Sequence, residues 1–203
     1  MKLPALFQVR VLKTALKALF SAPFTTSFPR KAYTPVEQFR GRPRYDEEAC
    51  IGCGACAEVC PAVCIDQVDD VGVQPPVRRF VQHLDACICC GQCERYCTTE
   101  KGIRMSNEYD FVGFAPEDFE EKVEKELLLC EGCGSVTAPL DQIRWLVDRL
   151  GPMAFCNPTL MLVSHRELEV VDPGVARADG DVTRAQRVAI QCPRCRRKTA
   201  LTV

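Results

Sequence analysis

Twelve of the fifteen cysteines in this 203-residue chain fall into spacings that serve metal chemistry. The run Cys50-x2-Cys53-x2-Cys56-x3-Cys60 recurs as Cys87-x2-Cys90-x2-Cys93-x3-Cys97, displaced by 37 residues. Two further knuckles follow, Cys130-x2-Cys133 and Cys192-x2-Cys195, with 58 residues between Cys133 and Cys192. Thiolates are soft ligands that select zinc, copper(I) and iron–sulfur centres. A two-residue gap puts consecutive thiolates on one tight loop, aimed at one centre. A disulfide scaffold fits poorly, because the cysteine count is odd and such scaffolds usually stay under about 80 residues. The compartment therefore reads as reducing, with the thiols free to hold metal.

The repeated run is the signature of bacterial ferredoxins that carry cubane [4Fe–4S] clusters. Three thiolates on a loop each reach a different iron, and the fourth follows about one helical turn later. In two-cluster proteins that fourth cysteine serves the other cluster. The expected ligand sets are Cys50, Cys53, Cys56 and Cys97 for the first cluster, and Cys87, Cys90, Cys93 and Cys60 for the second. Gly52, Gly54 and Gly91 suit backbone that wraps closely around a cluster and donates N–H bonds to its sulfurs. Pro61 follows Cys60 as the motif expects. Thr98 follows Cys97 instead, a departure that should alter the local turn or hydrogen bonding without removing a ligand. Two runs of identical spacing weigh against zinc sites throughout. Cys64, Cys89 and Cys156 read as packing residues, not ligands.

The separate knuckles, Cys130, Cys133, Cys192 and Cys195, supply the four thiolates of a tetrahedral site, as in zinc ribbons. Rubredoxins show the same C-x2-C-G and C-P-x-C pattern around one iron, so iron is the alternative to zinc. A tetrathiolate zinc has no open coordination position and no redox chemistry, so it would clamp the chain. His83 and His165 are isolated and read as surface or packed residues. The cluster Arg194, Arg196, Arg197 and Lys198 is either a solvated face or a contact for an acidic partner. No phosphate-binding loop, dinucleotide fingerprint or nucleophile elbow is present.

The elements that must position these residues follow from patterning. Hydrophobic residues are 47% and charged residues 26% of the chain, a globular mixture. No stretch approaches the eighteen or so apolar residues of a membrane-spanning helix. Residues 1–44 carry nine Lys or Arg against the single acid Glu37, a charge of +8, which leaves −9 for the remainder. The first twenty residues read as an amphipathic helix, with Arg10, Lys13 and Lys17 on one face and Leu12, Leu16 and Leu19 on another. That helix would lie in a membrane interface or along a partner. Residues 21–49 read as an extended strap. Pro75-Pro76 marks a turn between short β-prone pieces. The acidic run at 116–129 predicts a helix, with Phe119, Val123 and Leu127 at i, i+4 and i+8. A second helix is predicted at about Leu140–Leu150, with Ile143, Val147 and Leu150 on one side, Trp145 in its apolar face and Gly151-Pro152 as the stop. Residues 172–185 read as an exposed loop, and the last segment as strand, knuckle, strand. The expected fold is α+β, in three parts: a basic helix and strap at 1–44, a two-cluster ferredoxin domain at 45–110, and a helical segment with a zinc-ribbon-like or rubredoxin-like region at 111–203.

The order of basic amphipathic segment, FRGRPRY at 39–45, CIGCGACAEVCPAVCI at 50–65, CICCGQCERYC at 87–97 and IRMSNEYD at 103–110 resembles the two-cluster ferredoxin subunit of respiratory complex I and its relatives. The long continuation with two knuckles resembles the ferredoxin-like subunit of formate hydrogenlyase and related membrane-bound [NiFe] hydrogenases. This resemblance implies an electron wire with no active site of its own, peripheral on the cytoplasmic face of the cell membrane. Its partners would be the hydrogenase small and large subunits, a membrane arm and a formate dehydrogenase module. A complex I subunit is the alternative function, against which the long tail speaks. A zinc-ribbon nucleic-acid binder is a third class. The charge of −1 and 7% aromatic content, without an aromatic platform near the knuckles, speak against nucleic acid.

Overall fold

A computed structural model describes residues 9–22, 25, 27–169 and 189–201, with residue 200 described by its backbone only. Met1–Gln38 and Phe39–Val203 are two separate units. In the first, helix α1 (Val9–Phe20) forms over the described part of the helix expected for the first twenty residues, of which 1–8 lie outside the described residues, and it buries none of its residues. The Thr14 hydroxyl donates to the carbonyl of Arg10 on its surface.

The second unit holds two antiparallel sheets. β1 (Pro43–Tyr45) pairs with β4 (Ile103–Met105), setting Tyr45 opposite Ile103. The other sheet has the order β2 (Ile65–Asp70), β3 (Val77–His83), β5 (Glu120–Leu129), β6 (Val136–Pro139). β2 and β3 are a hairpin around the expected Pro75-Pro76 turn, and Asp70 accepts the N–H of Gly72 at 3.0 Å there. Phe80 on β3 faces Val123 on β5, each 1% exposed. They join Cys64, Ile65, Cys93 and Ile103 in one apolar core, against which the cysteine loops pack. Burying a side chain the size of Phe80 stabilises by about 1.5–3 kcal/mol.

The helix predicted over 116–129 does not form. A short 3-10 turn at Pro116–Phe119 leads instead into the ten-residue strand β5. An i, i+4, i+8 spacing is also a multiple of two, and Val123, Lys125 and Leu127 all face inward while Glu124 and Glu126 face out. The buried Lys125 disguised the alternation. Pairing with β3 on one side and β6 on the other overrides the high helix propensity of Glu, Lys and Leu.

α4 spans Leu140–Leu150, as predicted, and ends at Gly151, whose φ is +53°. Ile143 is buried, whereas Leu150 is 41% exposed. Trp145 is half-buried, with the Arg149 guanidinium over its ring at 5.2 Å. α5 (Pro158–Glu167) is capped by Asn157, whose side chain accepts the N–H of Thr159 at 2.9 Å. Ile143, Ala154, Leu160, Leu162, Val163 and Ile190 make a second core. The last described element is a helix, α6 (Pro193–Leu201), and not the predicted strand. Pro193 opens it, where a missing N–H costs nothing. The two knuckles are therefore unlike each other, since the first lies between β5 and β6 and the second at a helix start. The loop predicted at 172–185 lies outside the described residues.

Candidate metal-cluster sites

The two cysteine runs fold alike. Residues 37 apart share backbone conformations that L side chains rarely adopt: Gly54 and Gly91 at φ +83° and +74°, Gly52 and Cys89 at +68° and +51°, and Val63 and Glu100 at +49° and +62°. Each loop then enters a single helical turn, α2 (Ala55–Glu58) or α3 (Gln92–Arg95). Glycine enters such conformations without the Cβ clash that raises their energy for other residues. At Gly54 a Cβ would also stand 2.5 Å from Oε1 of Gln67.

Between the loops lie two cavities. One is lined by Cys50, Cys53, Cys56 and Cys97. The other is lined by Cys60, Cys87, Cys90 and Cys93. Each run thus contributes three cysteines to one cavity and its fourth to the other. The donor chemistry fits an iron–sulfur cluster, since four motif thiols line each space, with backbone N–H groups directed at sulfurs among them. Cys97 accepts from the backbone at Thr99, Gly102 and Ile103, and Cys60 at Ala62, Val63 and Cys64. Burial acts against the thiolate of Cys60 and Cys97, yet these N–H groups, with the Thr99 hydroxyl at Cys97 and the Cys64 thiol at Cys60, bring both below the usual thiol range. At Cys56 and Cys93 burial dominates and pushes the thiols up to about 11 and about 12. Positive irons would offset that burial cost by holding the sulfurs as thiolates.

Side chains beyond the eight cysteines also reach the sulfurs. The Tyr45 hydroxyl is 3.8 Å from Cys56 Sγ, the Thr98 hydroxyl 3.2 Å from Cys53 Sγ and the Thr99 hydroxyl 3.5 Å from Cys97 Sγ. In the other cavity, Cys64 Sγ lies 3.4 Å from Cys60 Sγ, and the Gln82 amide donates to Cys87 Sγ at 3.9 Å. Cys64 is 3% exposed, consistent with the packing role expected for it. Cys64 and Cys89 both line this second cavity. Neither Thr99 nor Gln82 carries a motif, and Tyr45 is marked only as the end of FRGRPRY, with no role at a sulfur. Thr98 is marked in the sequence by standing where the motif has proline.

The C-terminal cysteines form a different kind of site. The Sγ atoms of Cys130, Cys133, Cys192 and Cys195 all lie within 4.8 Å of one another, close enough for one ion. Cys130 and Cys192 are buried and Cys133 is exposed. The N–H of Cys192 donates to Cys130 Sγ at 3.2 Å, and the N–H of Cys195 to Cys192 Sγ at 3.4 Å. Ser135 Oγ stands 3.1 Å from Cys133 Sγ. The Cys195 N–H, with the Ser135 hydroxyl, holds the Cys192 thiol down at about 6. Glu131 brings the distant knuckle in. Its N–H donates to the carbonyl of Ile190 at 2.9 Å, its carboxylate accepts the N–H of Ile190 at 2.9 Å, and its other oxygen pairs with Arg166. Cys156 is exposed. His83 pairs with Asp66 at 3.0 Å, and His165 tilts against Phe155. Neither histidine sits among these thiols.

A model of a 4Fe-4S binding domain matches residues 41–62, which include the first cysteine run. NAD(P)H-quinone oxidoreductase subunit I of Gloeobacter violaceus is 31% identical over 91 residues, 43% of each chain. Formate hydrogenlyase subunit 6 of Escherichia coli is 30% identical over 135 residues, covering 66% of this chain and 73% of that one. A chain in the solved structure of the membrane-bound sulfane sulfur reductase, an archaeal respiratory membrane complex, shares 25% identity at a TM-score of 0.40, over 59% of this chain and 61% of that one. The chain thus spans less than half the length of the quinone oxidoreductase subunit it matches. The fold is a mixed helix and strand structure with a 4Fe-4S ferredoxin domain and a cysteine tetrad toward its C-terminus.

Proposed function

This chain belongs to the family of formate hydrogenlyase subunit 6, a family of ferredoxin subunits of complex-I-related complexes, and from that premise we propose that it relays electrons through two [4Fe–4S] clusters within a membrane-bound hydrogenase complex. The observation that carries the reading is the exchange of fourth cysteines, Cys97 with Cys50, Cys53 and Cys56, and Cys60 with Cys87, Cys90 and Cys93, around two separate cavities. Bound there, the clusters supply one-electron redox chemistry. The chain's part is to hold the irons through eight thiolates, to place N–H donors on the sulfurs and to exclude water behind Phe80, Val123 and Ile103. No side chain is needed as acid, base or nucleophile, because electron transfer makes and breaks no covalent bond.

In this reading Cys130, Cys133, Cys192 and Cys195 hold one zinc ion with a structural role, closing the end of β5 onto the start of α6. The partners are the other subunits of the complex, including the hydrogenase small and large subunits. The protein is peripheral on the cytoplasmic membrane face. In support, no helix among the described residues is long and apolar enough to cross a membrane, while α1 leaves every leucine exposed.

Metal analysis of anaerobically purified full-length protein tests the cluster content. The expected result is about eight irons and one zinc per chain. Iron well below eight with zinc in those positions overturns the wire. Copurification tests the complex. Recovery of hydrogenase subunits supports the proposal, and recovery of NADH-binding subunits replaces it with a complex I role.

A further inference from the structure

The two cavities are built from one duplicated backbone, but their side-chain hydrogen bonds differ in kind. Three of the four thiols around the first cavity have a hydroxyl beside them: Tyr45 at Cys56, Thr98 at Cys53 and Thr99 at Cys97. A cluster-bound thiolate carries no proton, so in each pair the hydroxyl must be the donor. In the second cavity the side-chain donors are one amide, Gln82 at 3.9 Å from Cys87, and the thiols of Cys64 and Cys89, which are weak donors. Charge leans the same way. The Lys125 ammonium, whose side chain is 9% exposed, favours the Cys50 thiolate, an effect that its partner Asp141 at 3.0 Å reduces. Beside the second cavity, Arg40 donates to the carbonyl of Cys90 and is exposed, where water screens it.

Hydrogen bonds to cluster sulfurs and nearby positive charge favour the reduced cluster, which is more negative by one unit, and so raise its reduction potential. We propose that Tyr45, Thr98 and Thr99 hold the cluster of Cys50, Cys53, Cys56 and Cys97 at a higher potential than the cluster of Cys60, Cys87, Cys90 and Cys93. An electron shared between the two then leaves the second, oxidising it, and reduces the first, with no proton transferred. The subunit is a directed step, with the first cluster as its resting place. The inference rests on the two-cluster reading above. It also accounts for Thr98, since a proline there would carry no hydroxyl.

The test is a potentiometric titration of the anaerobic full-length protein, followed by the electron paramagnetic resonance of each reduced cluster. The wild-type protein is expected to reduce in two separable steps. Tyr45→Phe and Thr98→Val should each shift the upper step to lower potential and leave the lower step in place. Thr98→Ser, which keeps the hydroxyl, should leave both unchanged. Cys64→Ala should move the lower step alone. A single step in the wild type, an unmoved upper step in both Tyr45→Phe and Thr98→Val, or a shift of the lower step in either overturns the inference. Iron content is measured first. A wild-type chain without eight irons fails the cluster reading itself, whereas eight irons with insensitive potentials fails only the ordering.

Discussion

Cys89 occupies the place in the second cysteine loop that Gly52 occupies in the first, 37 residues earlier, and takes the same left-handed backbone, φ +51° against +68°. A side chain in that conformation costs about 1–2 kcal/mol, which glycine avoids. Cys89 nonetheless lines the second cavity, and its N–H donates to Cys87 Sγ at 3.4 Å. Cys89→Gly should therefore keep the full iron content and shift unfolding by no more than about 1 kcal/mol, as relief of strain is offset by the freer unfolded chain. Metal analysis with thermal unfolding checks both. Loss of iron in this variant would make Cys89 a ligand.

Lys125 crosses from β5 to the start of α4. Its ammonium donates to the carbonyl of Glu47 and pairs with Asp141 at 3.0 Å. Burial raises the Asp141 carboxyl, but the bonds from Lys125 and Arg144 outweigh it and hold the group below the usual carboxylate range. A carboxylate whose folded value is depressed stabilises above its unfolded value, about 3.9, and that stabilisation fades as pH falls through the folded value. Asp141→Asn should cost about 1–2 kcal/mol near neutrality, between the limits for surface and buried pairs. The gap to wild type should narrow at acid pH. Chemical denaturation at neutral and acid pH measures this, and a gap constant with pH would remove the ion pair from the account.

Glu131 and the four C-terminal thiols join two segments that share no other motif. Cys130→Ser should release the metal of that site and loosen residues 189–201, while both cluster spectra stay intact. Limited proteolysis and zinc analysis read the first effect, and electron paramagnetic resonance the second. A lost cluster signal would place Cys130 in the electron path.

Helix α1 separates its leucines from Arg10, Lys13 and Lys17 and buries none of them. Deletion of residues 1–22 should release the protein from membranes or from its complex with cluster content unchanged, as measured by fractionation and iron analysis. Full retention would leave α1 without an anchoring role.

The chemistry is legible in the sequence because cysteine spacing is local. A C-x2-C-x2-C loop is short enough that its backbone geometry follows from sequence. The same holds for α4, where apolar residues recur on one face and Gly151 stops the helix. The helix expected over 116–129 gives way to a 3-10 turn and β5 because a spacing of four satisfies helix and strand alike, and the inward Lys125 breaks the visible alternation. The helix at Pro193–Leu201 was misread because its polar, arginine-rich sequence has no apolar stripe to announce it.

The amino-acid order by itself determined which residues can bind metal and that eight of them recur as a repeat, because ligand type and gap are written along the chain. Tertiary structure decided which thiols share a cavity, that β5 is a strand between two others, and which hydroxyls stand beside which sulfurs. Tyr45 reaches Cys56, and Thr98 reaches Cys53 across 45 residues, only because folding brings them there. Contacts of that kind depend on packing against partners far along the chain, which no local pattern encodes.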